Sequence, residues 1–260
     1  MARVQRAWLN DVEFTDAHPA LMLQHINEPD PKVTYKTAAK PYGGLVELSR
    51  SIERREIILE FAIREGLDFT RRQEAYEKAI AWAWNGGWLK LSDHPGQQIY
   101  VTLSSAPALG RLREWTEDIA LTFTAAWYPY WQDIVEQTAA HVNAASHDAL
   151  PLTVFGNMPS CISCDITPVS GSLSEVELAI DGTYMHINIT DANYYVPVGT
   201  ALTLGYDFRH LLYIRKGTTS LMQFRSGADD LIAQPGLRTV AYNCHGVSCN
   251  VVFRSKGVWL

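Results

Sequence analysis

The sequence predicts an α+β amino-terminal domain followed by an all-β sandwich. Three observations carry this. Composition changes near residue 150: positions 1–150 hold 35 of the 50 charged residues and seven of the eight tryptophans. One segment of the first part sets apolar residues at helical spacing, among segments that alternate with period two. The second part alternates almost throughout, with turn signals at intervals of roughly ten residues. Of the 260 residues, 47% are hydrophobic and only 19% charged, so a large core is within reach and a solvated disordered chain is excluded. The stretch TAAHVNAASHDALP is small, polar and poor in bulky apolar residues. It reads as a linker with a boundary at 146–151, giving domains 1–148 and 149–260.

In the first part, EIILEFAI points Ile57, Leu59, Phe61 and Ile63 one way and Glu56, Glu60 and Ala62 the other, a half-buried strand. DFTRRQEAYEKAIAWAWNGG follows. Thr70 and Gln73 form a capping-box pattern, and Tyr76, Ala79, Ile80, Ala83 and Trp84 form an apolar stripe. Gly86 and Gly87 stop the helix. GWLKLSDHPGQQIYVTLSS reads as strand, turn and strand, with DHPG as the turn. DIALTFTAAWY brings Ile119, Leu121 and Phe123 to one face. In the second part, EVELAIDGTYMHINIT is a hairpin closed by Asp181-Gly182. ALTLGYDF alternates through Leu202, Leu204, Tyr206 and Phe208, and TVAYNC and CNVVFRS are the closing strands.

Chemistry is sparse. The net charge is −6, without a run of five like charges, which argues against nucleic acid or an anionic membrane as the main partner. No apolar segment approaches the ~20 residues that span a bilayer. The basic amino terminus has no apolar run behind it, so no secretory signal is expected, and folding in a reducing cytoplasm is. GxSxG, HExxH, Walker and GxGxxG motifs are all missing from the sequence. Glu53, Glu56 and Glu60 sit among Arg50, Arg54 and Arg55 and read as a solvated ion-pair face. Cys161 and Cys164 in SCISC, with Cys244 and Cys249 in CHGVSC beside His245, invite a zinc reading. An extended SCISC puts its two cysteines on opposite faces, so buried thiols are the expectation, with no metal. His186 and Asn188 in HINIT match the start of the galectin sugar signature. The match stops at Thr190, and the pair reads as a polar outer face. The aromatic run AWYPYWQDI, with Trp127, Tyr128, Tyr130 and Trp131, reads as packing. Trp82 and Trp84 are two apart on the helix, so both cannot occupy the centre of the buried stripe. One is expected to be exposed, and contact with a partner is a reason for it.

The order of segments RSIERREIILEFAIREG, helix, WLKLSDHPGQQIYVTL and DIALTFTAAWYPYW resembles the amino-terminal belt domain of siphophage distal tail proteins. AIDGTYMHINI, VPVGTALTLGYDF, DDLIAQPGLRTVAY and VVFRSKGVW fall in the order of that family's galectin-like carboxy-terminal domain. The resemblance implies a belt domain, built as a β-sandwich or split barrel with one helix, followed by a galectin-like sandwich. It implies a homo-hexameric ring at the tip of a phage tail, assembled in the host cytoplasm, joining the tail tube protein to the tail-tip protein and often to receptor-binding parts. It implies no catalysis and no cofactor. A ring needs two complementary surfaces per subunit, and strand edges supply them. The belt strands, including the QQIYVTL arm, are the expected lateral contacts, with Gln98, Tyr100, Thr102, Trp82 and Trp84 as interface residues. The alternative is a carbohydrate-binding β-sandwich protein on an α+β support.

Overall fold

Alternation organises both halves. In the strand Leu45–Ile63, Ile57, Leu59, Phe61 and Ile63 are buried while Ile58 and Glu60 on the other face are only partly covered. The computed structural model describes residues 5–39, 45–64, 67–106, 119–142 and 146–260. The chain is mostly β and falls into two units, Met1–Trp131 and Gln132–Leu260. This division precedes the expected boundary at 146–151. The physical reason is that much of the expected linker is strand: Trp131–His141 pairs with Cys249–Trp259, and His147–Val154 pairs with Gly236–Asn243. Residues 143–145 of that stretch lie outside the described residues.

In the first unit, antiparallel strands run in the order Val12–Glu13, Ala7–Leu9, Gly87–Leu91, Gln97–Ser105, Ile119–Ala125, Leu45–Ile63 and Leu21–Asn27. A helix, Phe69–Ala83, lies between two of them in sequence. Its cap differs from the expected capping box. Asp68 is the N-cap, and its carboxylate accepts from the Arg71 amide at 2.9 Å, so the helix starts before Thr70. Ala75, Tyr76, Ala79 and Ala83 are its buried residues. The stripe then turns to Trp82. Its ring meets Phe14 at 5.1 Å and Phe123 at 6.1 Å, edge-on, and its Nε1 donates to the Val12 carbonyl at 3.0 Å. Trp84, assigned to the stripe from the sequence, is 70% exposed. The helix exit is clamped by Asn10, whose side chain donates to the Gly86 carbonyl and accepts from the Trp88 amide, both at 3.0 Å. Gly86 has φ 61, and a Cβ there would stand 2.3 Å from the Val101 carbonyl oxygen.

The second unit is a two-sheet sandwich. One sheet runs Thr219–Ser220, Leu212–Lys216, Leu202–Tyr206, Ser160–Pro168, Cys249–Trp259 and Trp131–His141. The other runs His147–Val154, Gly236–Asn243, Glu175–Ile180, Thr183–Asn188 and Arg225–Gly227. A single core fills the space between them, with Ile162, Ile166, Leu178, Ile187, Leu204 and Val251 among its members. The Asp181-Gly182 turn forms as expected, with φ 49 and 80 and Ile180 opposite Thr183. Phe208 lies beyond its strand and is exposed.

Candidate functional site

One element of the first unit leaves its backbone open. Leu45–Ile63 is 19 residues long, but Ile119–Ala125 pairs only with its residues 55–61 and Leu21–Asn27 only with 58–63. Its first ten residues pair solely with Lys32–Ala39, which has no other strand partner among the described residues. The result is a two-stranded ribbon reaching roughly 30 Å beyond the wider sheet at the usual strand rise. None of the described side chains on the ribbon, at 32–38 and 51–54, is buried. Lys32 Nζ meets Glu53 at 2.6 Å and the Thr34 hydroxyl donates to the same carboxylate. These bonds, Lys32 first, hold the Glu53 carboxyl below its ordinary range. Bulges between Lys32 and Val33 and between Lys36 and Thr37 twist the ribbon. An isolated hairpin is marginal in water, and both outer edges here carry N–H and C=O groups that a neighbouring strand can satisfy.

The residues singled out from the sequence sit elsewhere in this unit. Gln97–Ser105 is no edge. Ile99 and Val101 face Leu89 and Gly87 on one side, and Thr102 faces Thr124 on the other. What the QQIYVTL arm offers outward is therefore side chains and not an unpaired backbone edge. Gln98 and Tyr100 are half-buried, and the Tyr100 ring packs edge-on against Trp88 at 5.4 Å. Thr102 is exposed, and its hydroxyl donates to the Thr124 carbonyl at 3.3 Å. Trp82 is committed to packing within the chain, and Trp84 projects outward. The ribbon was legible only in part. The mixed-charge run ERRE marks a solvated strand, but nothing in the sequence says that its far half has one partner instead of two.

Comparison with solved structures matches this architecture along the whole chain. The Dit protein of phage SPP1, described as a paradigm of hub adsorption apparatus in phages infecting Gram-positive bacteria, superposes with a TM-score of 0.67 at 14% identity. The match covers 99% of this chain and 100% of that one. The chain has the fold of a phage distal tail protein. A chain of the phage P2 baseplate, in an activated conformation with Ca, matches at a TM-score of 0.52 and 11% identity, with 98% of each chain covered. No protein-family model matches, and no curated protein matches.

Within this distal tail fold, the charge run on Leu45–Ile63 divides. Arg54 pairs with Glu56 at 3.0 Å on the surface, but Arg55 turns inward and is only 6% exposed. Its Nε donates to the Pro129 carbonyl at 3.2 Å, and its guanidinium faces Glu28 at 3.8 Å. Glu28 also meets His94 Nε2 at 2.9 Å, and His94 stacks on the fully buried Trp131 at 4.0 Å. Arg55 thus anchors the aromatic run. Trp131 joins the core as expected, whereas Trp127 is exposed.

The cysteines of the second unit answer the zinc question by direction. In Ser160–Pro168, Cys164 points into the core and Cys161 to the other face, so four thiols do not converge. All four are free. Burial pushes the Cys161 thiol up to about 12 and Cys164 well above the ordinary range. Cys244 hydrogen-bonds Cys249 and is held protonated. Cys161, Cys164 and Cys244 are therefore weak nucleophiles, whereas the same hydrogen bond with Cys244 lowers Cys249. His245 leaves the core altogether. Its backbone has φ 46, its amide donates to Asn243 Oδ1 at 3.1 Å, and its ring joins the outer face of the hairpin. There His186 Nε2 lies 2.8 Å from Glu175 Oε1, so the HINIT histidine is engaged by a carboxylate on its own sheet.

Proposed function

We propose that this protein is a distal tail protein, a structural component of a phage tail tip that forms a hexameric ring joining the tail tube to the tip apparatus. One observation carries the reading: the fold match to a distal tail protein spans both units, with 99% of this chain and 100% of the other covered. In these terms the first unit is the ring-forming belt and the second is the galectin-like domain. The protein resides in the virion tail and performs no catalysis. The open ribbon supports the reading, because a ring subunit must expose something that only its neighbour completes. Pairing of ribbon edges with a neighbouring belt would satisfy the backbone, and the exposed Trp84 offers an aromatic ring for a neighbour to cover. Each contact is modest, and closure multiplies it around the ring.

Light scattering on the full-length chain over a range of concentrations tests this. A mass six times the 29.2 kDa of one chain is expected. A single-chain mass at every concentration, together with saturable glycan binding, would instead establish the carbohydrate-binding alternative.

A further inference from the structure

We propose that Glu175, His186 and His245 bind a divalent transition-metal ion of the zinc class on the outer face of the second unit. The strand register gathers them. Glu175 and Glu177 lie two apart on one strand and share a face. His186 stands opposite Glu177 in the hairpin, and Asn243 stands opposite Glu177 on the other neighbouring strand. His245, two residues beyond Asn243, completes the cluster from the turn that leaves this strand.

One ligand atom from each of the three residues lies within 4.8 Å of the others. Glu175 Oε1 is 2.8 Å from His186 Nε2 and 3.7 Å from His245 Nε2. Ligand atoms around a tetrahedral zinc ion at about 2.1 Å stand roughly 3.4 Å apart. The set therefore needs only small shifts: His186 and Glu175 part slightly as the metal replaces their direct contact, and the exposed His245 turn moves in slightly. His245 Nε2 is 3.6 Å from Glu177 Oε2 and 3.7 Å from Glu175, both beyond hydrogen-bond length. The ring faces two carboxylates without closing on either, an arrangement that suits a cation between them. Glu177 is already oriented: Tyr184 donates to its Oε1 at 2.7 Å and Asn243 to its Oε2 at 3.0 Å. These bonds fix a second negative charge beside the three ligands, the supporting role that outer groups play at metal sites. Two imidazoles and a carboxylate favour zinc, nickel or cobalt over calcium or magnesium, which take oxygen. Bound metal would tie the His245 turn to the Glu175–Ile180 strand and stabilise the sandwich by linkage. The inference stands on this cluster alone and is independent of ring formation.

Isothermal titration calorimetry of the untagged full-length protein with zinc chloride tests it. One saturable site per chain is expected, unaffected by excess calcium chloride. His186→Ala and His245→Asn should each weaken zinc binding at least about tenfold, and asparagine suits the positive φ at 245. His25→Ala, at an exposed histidine of the first unit, should bind as the parent does. Circular dichroism establishes that each variant is folded. Absence of a saturable zinc site in the parent overturns the proposal, as does unchanged affinity in both folded variants.

Discussion

Trp82 and Trp84 stand two positions apart at the end of one helix and meet opposite environments. The half-buried Trp82 ring packs between Phe14 and Phe123, so Trp82→Ala should cost about 2 kcal/mol through lost packing. Trp84→Ala removes an exposed ring and should change the stability of the dilute chain by less than about 0.5 kcal/mol, while weakening assembly. Urea denaturation at low concentration and sizing at high concentration read the two effects separately. Spacing alone shows that the two rings diverge. It does not show which one packs inward, because that depends on Phe14, far away in sequence. His210 carries a second prediction at this scale. Burial first, and then Lys256, pull its imidazole down to about 4 against the opposing effect of Asp207. In the unfolded chain it titrates near 6.5. Between about 6.5 and 4 the unfolded chain takes up a proton that the folded chain refuses. Stability therefore falls as pH drops through that window, by about 2 kcal/mol from this group between about pH 7 and about pH 5. His210→Asn, which suits the local φ of 59, should remove that component, seen as a smaller shift of the urea midpoint over the same window.

At the scale of elements, the ribbon formed by Lys32–Ala39 and the first half of Leu45–Ile63 is the feature that most needs a partner. It lacks buried side chains among those described, and its backbone bonds are exposed to water. Its amides should exchange rapidly in the dilute chain and slow by at least about tenfold on assembly. Hydrogen exchange read by mass spectrometry under both conditions decides this. Equal rates in both states would remove the ribbon from the lateral contact. Elements with a strong local code were legible in the sequence. Ile57, Leu59 and Phe61 announce a half-buried strand, and Asp181-Gly182 announces a tight hairpin. Elements that depend on distant partners were not. Gln97–Ser105 looks like any alternating strand, and only pairing with strands distant in the chain makes it an interior one. Arg55 reads as one more surface charge until Glu28 and the Pro129 carbonyl, both remote, draw it inward. The small polar run before residue 150 reads as a linker because sheet pairing asks little of side chains that are only half covered.

For the whole molecule, the composition shift near residue 150 lies downstream of the division between the two units after Trp131, because charge density follows surface and the division follows strand pairing. The match to a distal tail protein spans both units, and the proposed ring is the reading that this shared fold supports. On the proposed reading, function rests on complementary surfaces between copies. Electron microscopy of the concentrated full-length protein tests this most directly. Closed annuli with six-fold symmetry, one chain to each segment, are the predicted result. Particles of a single chain at every concentration, or open filaments that never close, would contradict it.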